Sequence, residues 1–421
     1  MIAKDKILSR SLLPRRILPW LRRDLTRKEA ILLTGSRRAG KTSVLFLLAQ
    51  ELIYKGRNTI LFDLEDPDDL DVITQGPEVL KRFMKQGVCF IDEFHYLPDP
   101  ARFVKLCVDH YPEIKLICTG SSTLKFYKKA RNSIIGRIIE YELYPLDFRE
   151  FLKFKRKERY LNLIPEPSLD RITGFKQAKI PDRLLRLYEE FLIYGGYPES
   201  VLAPEYEKIR FLSRLFKIYA KRDLREFYTL RNEFAFENFF YMLGDRVGSL
   251  INLHEISKEI GVSLKTVKNY LFLLENLFMV KVLHPIRSKV VNSIRKMPKV
   301  YFVDTGLLCW TLRGFDSIKR SSGMGRLVEN RIFIDLLQRI RPMESLYFAR
   351  KKSGVEIDFV VKGKKNIGVE VKWSHHPEIP KRVLNYLREL DIERLLLLSI
   401  NTTQKQIYRK RTVVTLPALM I

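Results

Sequence analysis

A lysine set behind two glycines is the first place in this chain where residue types and spacing specify chemistry. Gly35-Ser36-Arg37-Arg38-Ala39-Gly40-Lys41-Thr42-Ser43 follows the apolar run Ala30-Ile31-Leu32-Leu33-Thr34, and Val44, Leu45, Leu47 and Leu48 come next at helical spacing. A strand, a Gly-x-x-x-x-Gly-Lys-Thr loop and a helix make the Walker A context. Gly35 and Gly40 permit backbone angles and a close approach that a Cβ forbids. The loop N–H groups and the helix N-terminus attract phosphate oxygens. Lys41 can reach the β- and γ-phosphates, and the Thr42 hydroxyl can ligate Mg²⁺. Gly35 to Ser43 therefore reads as a nucleoside triphosphate site, taking ATP with Mg²⁺.

A second set completes the chemistry. Gly87-Val88-Cys89-Phe90-Ile91-Asp92-Glu93 is an apolar strand ending in two carboxylates. Alone, such a pair serves equally well as a helix cap. Downstream of a Walker A loop, with another short strand (Asn58 to Asp63) between, it reads as Walker B. Asp92 would hold Mg²⁺ through water and Glu93 would polarise the attacking water. Arg137, beside Gly136, is a candidate arginine finger or sensor cation for a neighbour's site, with Arg131 behind it; the alternative is a plain surface arginine.

The last third carries another acidic set. Glu356-Ile357-Asp358-Phe359-Val360-Val361 and Gly368-Val369-Glu370-Val371-Lys372 flank a basic Lys362-Gly363-Lys364-Lys365 hairpin. Both runs alternate, so Asp358, Glu370 and Lys372 can share one face while Phe359, Val369 and Val371 take the other. Spacing alone equally describes cross-strand salt bridges in an inert sheet.

These groups need a scaffold. A chain of 421 residues is too long for one core and points to two or three domains. Apolar content of 46% and charged content of 30% describe a globular chain. The net charge of +27 favours a polyanionic partner, nucleic acid before an anionic membrane surface. Cys89, Cys107, Cys118 and Cys309 show neither metal spacing nor a disulfide framework, and Cys89 and Cys118 sit in apolar runs as core thiols. No apolar run approaches the length of a membrane span and no cleavable leader follows the basic N-terminus. A cytoplasmic, reduced protein is expected. Residues 1–28 mix arginines with Ile17, Leu18, Trp20, Leu21 and Leu25; they either pack over the nucleotide base or lead into the first strand. Asp66-Pro67-Asp68-Asp69 reads as a turn or acidic loop, Asp99 to His110 and Phe148 to Lys157 as helices, and Ile138 to Leu143 as an edge-like strand. Tyr160 to Asp182 reads as a linker, and helical spacing resumes from Arg183 to Tyr228, broken at Gly195-Gly196-Tyr197-Pro198.

Leu253 to Val262 reads as a short helix with a turn at Gly261. Ser263 then caps a second helix that presents Lys265, Lys268 and Asn269 outward while Val267, Leu271 and Leu274 face in. That is a helix-turn-helix pattern able to enter a major groove, with 278–283 and 300–303 as wing strands. Such modules also bind proteins.

The segment Gly35 to Lys157, the Gly-Gly-Tyr-Pro turn and the chain beyond it resemble a widespread archaeal and bacterial family of AAA+-type ATPases. Members of that family carry a C-terminal domain of unknown function with a restriction-nuclease-like fold, and the resemblance covers nearly the whole chain. It implies an α/β P-loop NTPase of AAA+ type, with a parallel sheet flanked by helices at 1–158. A linker and helical lid would follow at 159–244, a winged helix-turn-helix at 245–312 and a PD-(D/E)XK nuclease-like α/β domain at 313–421. The resemblance also implies a sensor at the end of the Lys115 to Ser122 strand, Ser121 before Thr119, although a Ser-rich turn fits the same residues. In the C-terminal domain it implies Asp358 and Glu370 as Mg²⁺ ligands, Glu329 from the preceding helix assisting, and Lys372 orienting water; such domains often bind DNA without cutting it. The expectation is an ATP-hydrolysing DNA-binding protein, a homo-oligomer or ring, acting as a motor or DNA-processing ATPase. A regulatory switch ATPase and an ATP-gated nuclease are the rivals.

Overall fold

The structure is a computed structural model that describes residues 1–120, 134–164, 180–218, 232–286, 297–313, 315 and 323–421. The chain divides into two compact units: Met1–Pro145 with Asn276–Phe278, and Leu146–Glu275 with Met279–Ile421.

In the first unit, two short helices, α1 (Lys4–Leu8) and α2 (Leu18–Arg23), precede β1 (Ala30–Gly35) and α3 (Lys41–Tyr54). Then come β2 (Thr59–Asp63), α4 (Pro67–Thr74), α5 (Leu80–Phe83), β3 (Gly87–Asp92), α6 (Pro100–His110), β4 (Ile114–Gly120) and β5 (Ile138–Leu143). The strands form one all-parallel sheet in the order β2-β3-β4-β1-β5. The inner runs are apolar on both faces because a parallel sheet is covered on both sides. Leu32, Phe62, Cys89, Ile91 and Cys118 pack on one face with α6; Ile31, Leu33, Phe90 and Ile117 pack on the other with Val44 and Leu48 of α3. Because every strand runs the same way, Gly35, Asp92 and Gly120 emerge at one edge, where ligands of open α/β sheets sit.

Ile7, Ile17, Leu18 and Leu21 are buried in the same cluster as α3, so the N-terminal segment packs into this core. The expected acidic turn at Asp66-Pro67-Asp68-Asp69 is instead the start of α4. Asp66 accepts the Asp68 N–H at 3.0 Å and Pro67 occupies the first turn, where its missing N–H costs nothing. Asp147 caps the next helix in a reciprocal capping box with Glu150.

The second unit contains α7 (Phe148–Phe154), α8 (Asp182–Tyr194), α9 (Pro198–Leu202), α10 (Glu205–Ile218), α11 (Glu233–Asp245), α12 (Leu253–Glu259) and α13 (Leu264–Asn276). The antiparallel pair β6 (Val280–Leu283) and β7 (Lys299–Phe302) follows, then α14 (Thr305–Thr311) and α15 (Gly323–Leu337). Its larger sheet is built from β8 (Ser345–Arg350), β9 (Glu356–Lys362), β10 (Asn366–Val371), β11 (Ile392–Ser399), β12 (Gln404–Tyr408) and β13 (Arg411–Pro417), with α16 (Lys381–Glu389) between β10 and β11. The order is β12-β13-β11-β10-β9-β8; β8, β9 and β10 are antiparallel, and β10, β11 and β13 run parallel. The Gly-Gly-Tyr-Pro turn closes on α14: Gly195 has φ +75, and the Gly196 N–H donates to Asp304 Oδ2 at 2.7 Å. Among the described residues no helix is long and apolar enough to cross a membrane.

Candidate functional site

The loop after β1 is shaped by its glycines. Gly35 has φ +141, and a Cβ there would stand 2.1 Å from the Leu143 carbonyl oxygen. Gly40, at φ 98, is the N-cap of α3 and brings no side chain to the helix end, leaving the positive end of the helix to an outside anion. Lys41 is buried and donates to the carbonyls of Gly35 at 3.0 Å and Ser36 at 3.1 Å, so its ammonium lies along the loop. Ser36, Arg37 and Ala39 are buried, Arg38 is exposed in the left-handed region, and Ser43 is half-buried. Arg15 is a buried addition that sequence reading missed. Its guanidinium donates to the Ala39 carbonyl at 2.6 Å and the Tyr144 carbonyl at 2.9 Å, tying the loop to the end of β5. Nothing distinguishes it from the other arginines of a basic leader.

Asp92 and Glu93 meet this loop from β3. The Thr42 hydroxyl stands beside the Asp92 carboxylate and favours its charged form. Thr119, at the end of β4, donates its hydroxyl to Asp92 and accepts the Glu93 N–H at 3.1 Å. Burial and the neighbouring Glu93 charge push the Asp92 carboxyl up, against the Thr119 and Thr42 hydroxyls and Lys41. A buried carboxylate beside a hydroxyl, short of positive charge, fits Mg²⁺, with Thr42 and Asp92 as the residues that would hold it. Glu93 is a non-glycine residue in left-handed backbone (φ 49), a conformation that costs energy and turns the side chain off the strand line. His95 Nδ1 lies 3.1 Å from its carboxylate. Burial pushes the Glu93 carboxyl up, but the His95 hydrogen bond, Lys41 and Arg37 outweigh it and draw it down to about 2. His95 stands two residues past the carboxylate pair, a signal that was visible and unused.

Ser121, like Arg131, lies outside the described residues. Arg137 sits at the opposite edge of the sheet, where its carbonyl accepts the Ala30 N–H at 2.8 Å. The loop begins at the other end of β1, about 17 Å away at the usual strand rise. Its guanidinium pairs with Asp109 through two bonds of 2.9 and 3.0 Å.

In the second unit, the antiparallel register Val369 with Phe359, continued by one step, sets Glu370 opposite Asp358. The Asp358 N–H points at Glu370 Oε2 at 3.4 Å, and the Val371 N–H donates to Asp358 Oδ2 at 2.8 Å. Lys372 Nζ is 2.8 Å from Glu370 Oε1. Glu329, from α15, accepts the Tyr301 hydroxyl at 2.8 Å. Sequence reading missed Lys299, whose buried ammonium contacts Glu356 and lies 3.6 Å from Glu329 Oε1. Burial and the Asp358 charge push both the Glu329 and the Glu370 carboxyl up. Glu329, Asp358 and Glu370 are thus neighbours, yet among the described residues no three His, Cys, Asp or Glu side chains form a group that could hold a metal ion. Lys299, Lys372 and backbone N–H groups already contact members of this set, and a divalent cation would have to displace them.

The helix-turn-helix pattern folds as α12 and α13. Gly261 supplies φ +68 in the turn, and Ser263 Oγ accepts the Thr266 N–H at 3.1 Å. Lys265, Lys268 and Asn269 are exposed, with Val267, Leu271 and Leu274 buried on the other face.

Residues 27–152 match the family described as an AAA domain. With the strand order and loop above, the first unit is a P-loop fold of AAA type. Residues 185–318 and 324–419 match two further families, each described as a domain of unknown function. An uncharacterized protein of Haemophilus influenzae is 26% identical over 349 residues, covering 78% of each chain. An uncharacterized protein of Methanocaldococcus jannaschii is 26% identical over 354 residues, covering 80% of this chain and 73% of that one. Among solved structures, AMPPCP-bound DnaA from Aquifex aeolicus is 16% identical with a TM-score of 0.30, over 64% of this chain and 90% of that one.

Proposed function

We propose that this chain is a Mg²⁺-dependent ATPase whose AAA-type unit powers or gates DNA held by the second unit. One observation carries the reading: Thr119 joins Asp92 and the Glu93 backbone by hydrogen bonds, with Thr42 and Lys41 beside Asp92, at the C-terminal edge of the sheet. Lys41 and the N-terminus of α3 would hold the phosphates in this cradle. Glu93, kept as a carboxylate by its surroundings, orients the attacking water and accepts its proton, while Thr119 fixes the Glu93 backbone. Mg²⁺, when bound, would neutralise the charge that develops on the phosphate oxygens.

DNA as partner rests on the net charge of +27 and the exposed Lys265, Lys268 and Asn269 of α13. A motor and a switch share this site and differ in how hydrolysis responds to DNA. The test is steady-state hydrolysis with and without duplex DNA over a range of salt. Lys41→Ala is expected to abolish nucleotide binding, and Glu93→Gln to keep binding and lower turnover at least a hundredfold. Unchanged turnover in both variants would remove the ATPase reading. Turnover that ignores DNA at every salt concentration selects the switch over the motor.

A further inference from the structure

The acidic cluster of the second unit already contains a cation. Lys299 and Tyr301 are two residues apart on β7 and so point the same way. Tyr301 donates to Glu329, and the Lys299 ammonium contacts Glu356 and lies 3.6 Å from the same Glu329 oxygen. Lys299 is 1% exposed, so its charge has no access to bulk water and depends on these carboxylates. The remaining acids are answered in turn. Glu356 also receives Arg350 at 2.6 Å, Glu370 receives Lys372 at 2.8 Å, and Asp358 accepts the Val371 N–H at 2.8 Å. The strand that carries Lys299 is held by the buried Asn330 side chain, which bonds both backbone groups of Phe302. The Lys299 ammonium is therefore delivered to the cluster by fixed backbone rather than by a free surface arm.

The Lys299 ammonium holds Glu356 and stands beside Glu329, close enough to feel the Asp358 charge, so a divalent cation drawn to Glu329, Asp358 and Glu370 would have to sit next to it. Mg²⁺ demands near-octahedral oxygen ligands at about 2.0–2.1 Å and keeps several waters, whereas the lysine offers three donors at hydrogen-bond distance and no water. With both present, two like charges would repel each other in one poorly solvated site. We propose that Lys299 is the resident cation of this cluster, so that the second unit is metal-independent and engages DNA without cutting it. This inference stands apart from the ATPase reading, since no residue of the first unit enters it.

The test is made on the full chain in an Asp92→Asn background, which removes the first unit's own divalent site, with Mn²⁺ as the probe in titration calorimetry. The parent is expected to take up no Mn²⁺ that depends on Asp358. Lys299→Met should gain a Mn²⁺ site at least tenfold tighter than any in the parent, and adding Glu370→Gln should abolish the gain. A folded Lys299→Met that gains nothing overturns the proposal. So does Mn²⁺ uptake by the parent that Asp358→Asn removes. Should circular dichroism find Lys299→Met unfolded, nicking of supercoiled plasmid by wild type in Mn²⁺ decides. Nicking that disappears in Asp358→Asn overturns the proposal, and absence of Asp358-dependent nicking upholds it.

Discussion

Asn330 grips both backbone groups of Phe302: its Oδ1 accepts the Phe302 N–H at 2.7 Å and its Nδ2 donates to the Phe302 carbonyl at 2.8 Å. Neither residue reaches solvent. One amide thus ties α15 to β7 and places Glu329 beside Lys299 and Tyr301. In Asn330→Leu both backbone groups lose a buried partner, at about 1–3 kcal/mol each. Asn330→Asp keeps the acceptor for the Phe302 N–H but sets a buried carboxylate oxygen against the Phe302 carbonyl, so it should be destabilised as well, and more so as pH rises. Urea unfolding followed by tryptophan fluorescence at pH 7 is expected to place both variants below wild type in midpoint. Equal midpoints for Leu and wild type would show that the clamp is dispensable.

Glu93 and His95 set the acid side of the hydrolysis profile. With His95 present the Glu93 carboxyl is drawn down to about 2 against the effect of burial, so it remains a carboxylate throughout the usual assay range. His95→Ala removes the hydrogen bond that opposes burial most strongly, and the carboxyl rises. Protonated Glu93 cannot accept the water's proton, so activity falls from the acid end first. Turnover measured from pH 5 to 8 should therefore lose its acid side in His95→Ala while matching wild type more closely at pH 8. Profiles of identical shape would release His95 from this positioning role.

Lys265 and Lys268 lie exposed on the first turns of α13. If each neutralises one DNA phosphate, the double change to Ala lowers the slope of log affinity against log salt by about 1.8. Fluorescence anisotropy with labelled duplex between 50 and 200 mM salt, about the range over which such slopes resolve, checks this. A full slope in the double variant would assign DNA contact to another basic surface.

Asp304 links the fold of the second unit to pH. Its buried carboxylate accepts the N–H groups of Gly196 and Leu307 at 2.7 and 3.1 Å. Burial, only partly offset by those N–H groups and Arg331, raises it to about 6. An acid raised in the folded state stabilises the fold fully below its unfolded value, near 3.9, and that contribution is lost as pH rises through about 6. A shift of this size corresponds to about 3 kcal/mol at most. Asn can accept only one of these two N–H groups, because its Nδ2 would face the other, but it does not ionise; Asp304→Asn is therefore less stable overall, yet its stability relative to wild type should improve from pH 4 to pH 7. A difference independent of pH across that range would mean Asp304 titrates normally.

Local chemistry made the nucleotide site readable. Gly35 to Ser43 and Asp92-Glu93 are short contiguous motifs whose geometry follows from a strand–loop–helix turn and a strand end, so neighbours in sequence are neighbours in space. Two-fold strand alternation likewise put Asp358 and Glu370 on one face, and their observed closeness follows from the hairpin register. The helix cap at Ser263 formed where side chain and spacing announced it. Asp66 was misread because Asp-Pro-Asp opens a helix as readily as a turn, and the packing of Leu70 and Ile73 against the sheet decides between them.

What chain order could not reveal were groups joined by pairing between distant segments. The parallel sheet carries Thr119 to Asp92 and sends Arg137 to the far edge, a matter of strand order and direction that no single strand encodes. Arg15 reaches the loop only because the N-terminal segment packs on α3. Lys299, one residue before the expected wing strand at 300–303, becomes the counter-charge of an acidic cluster because Asn330 holds its strand against α15. Motif spacing and strand alternation alone marked which side chains could bind phosphate and which carboxylates could share a face. Which cation answers those carboxylates came from packing, because that depends on where a buried charge finds its partner rather than on the spacing of residues along the chain.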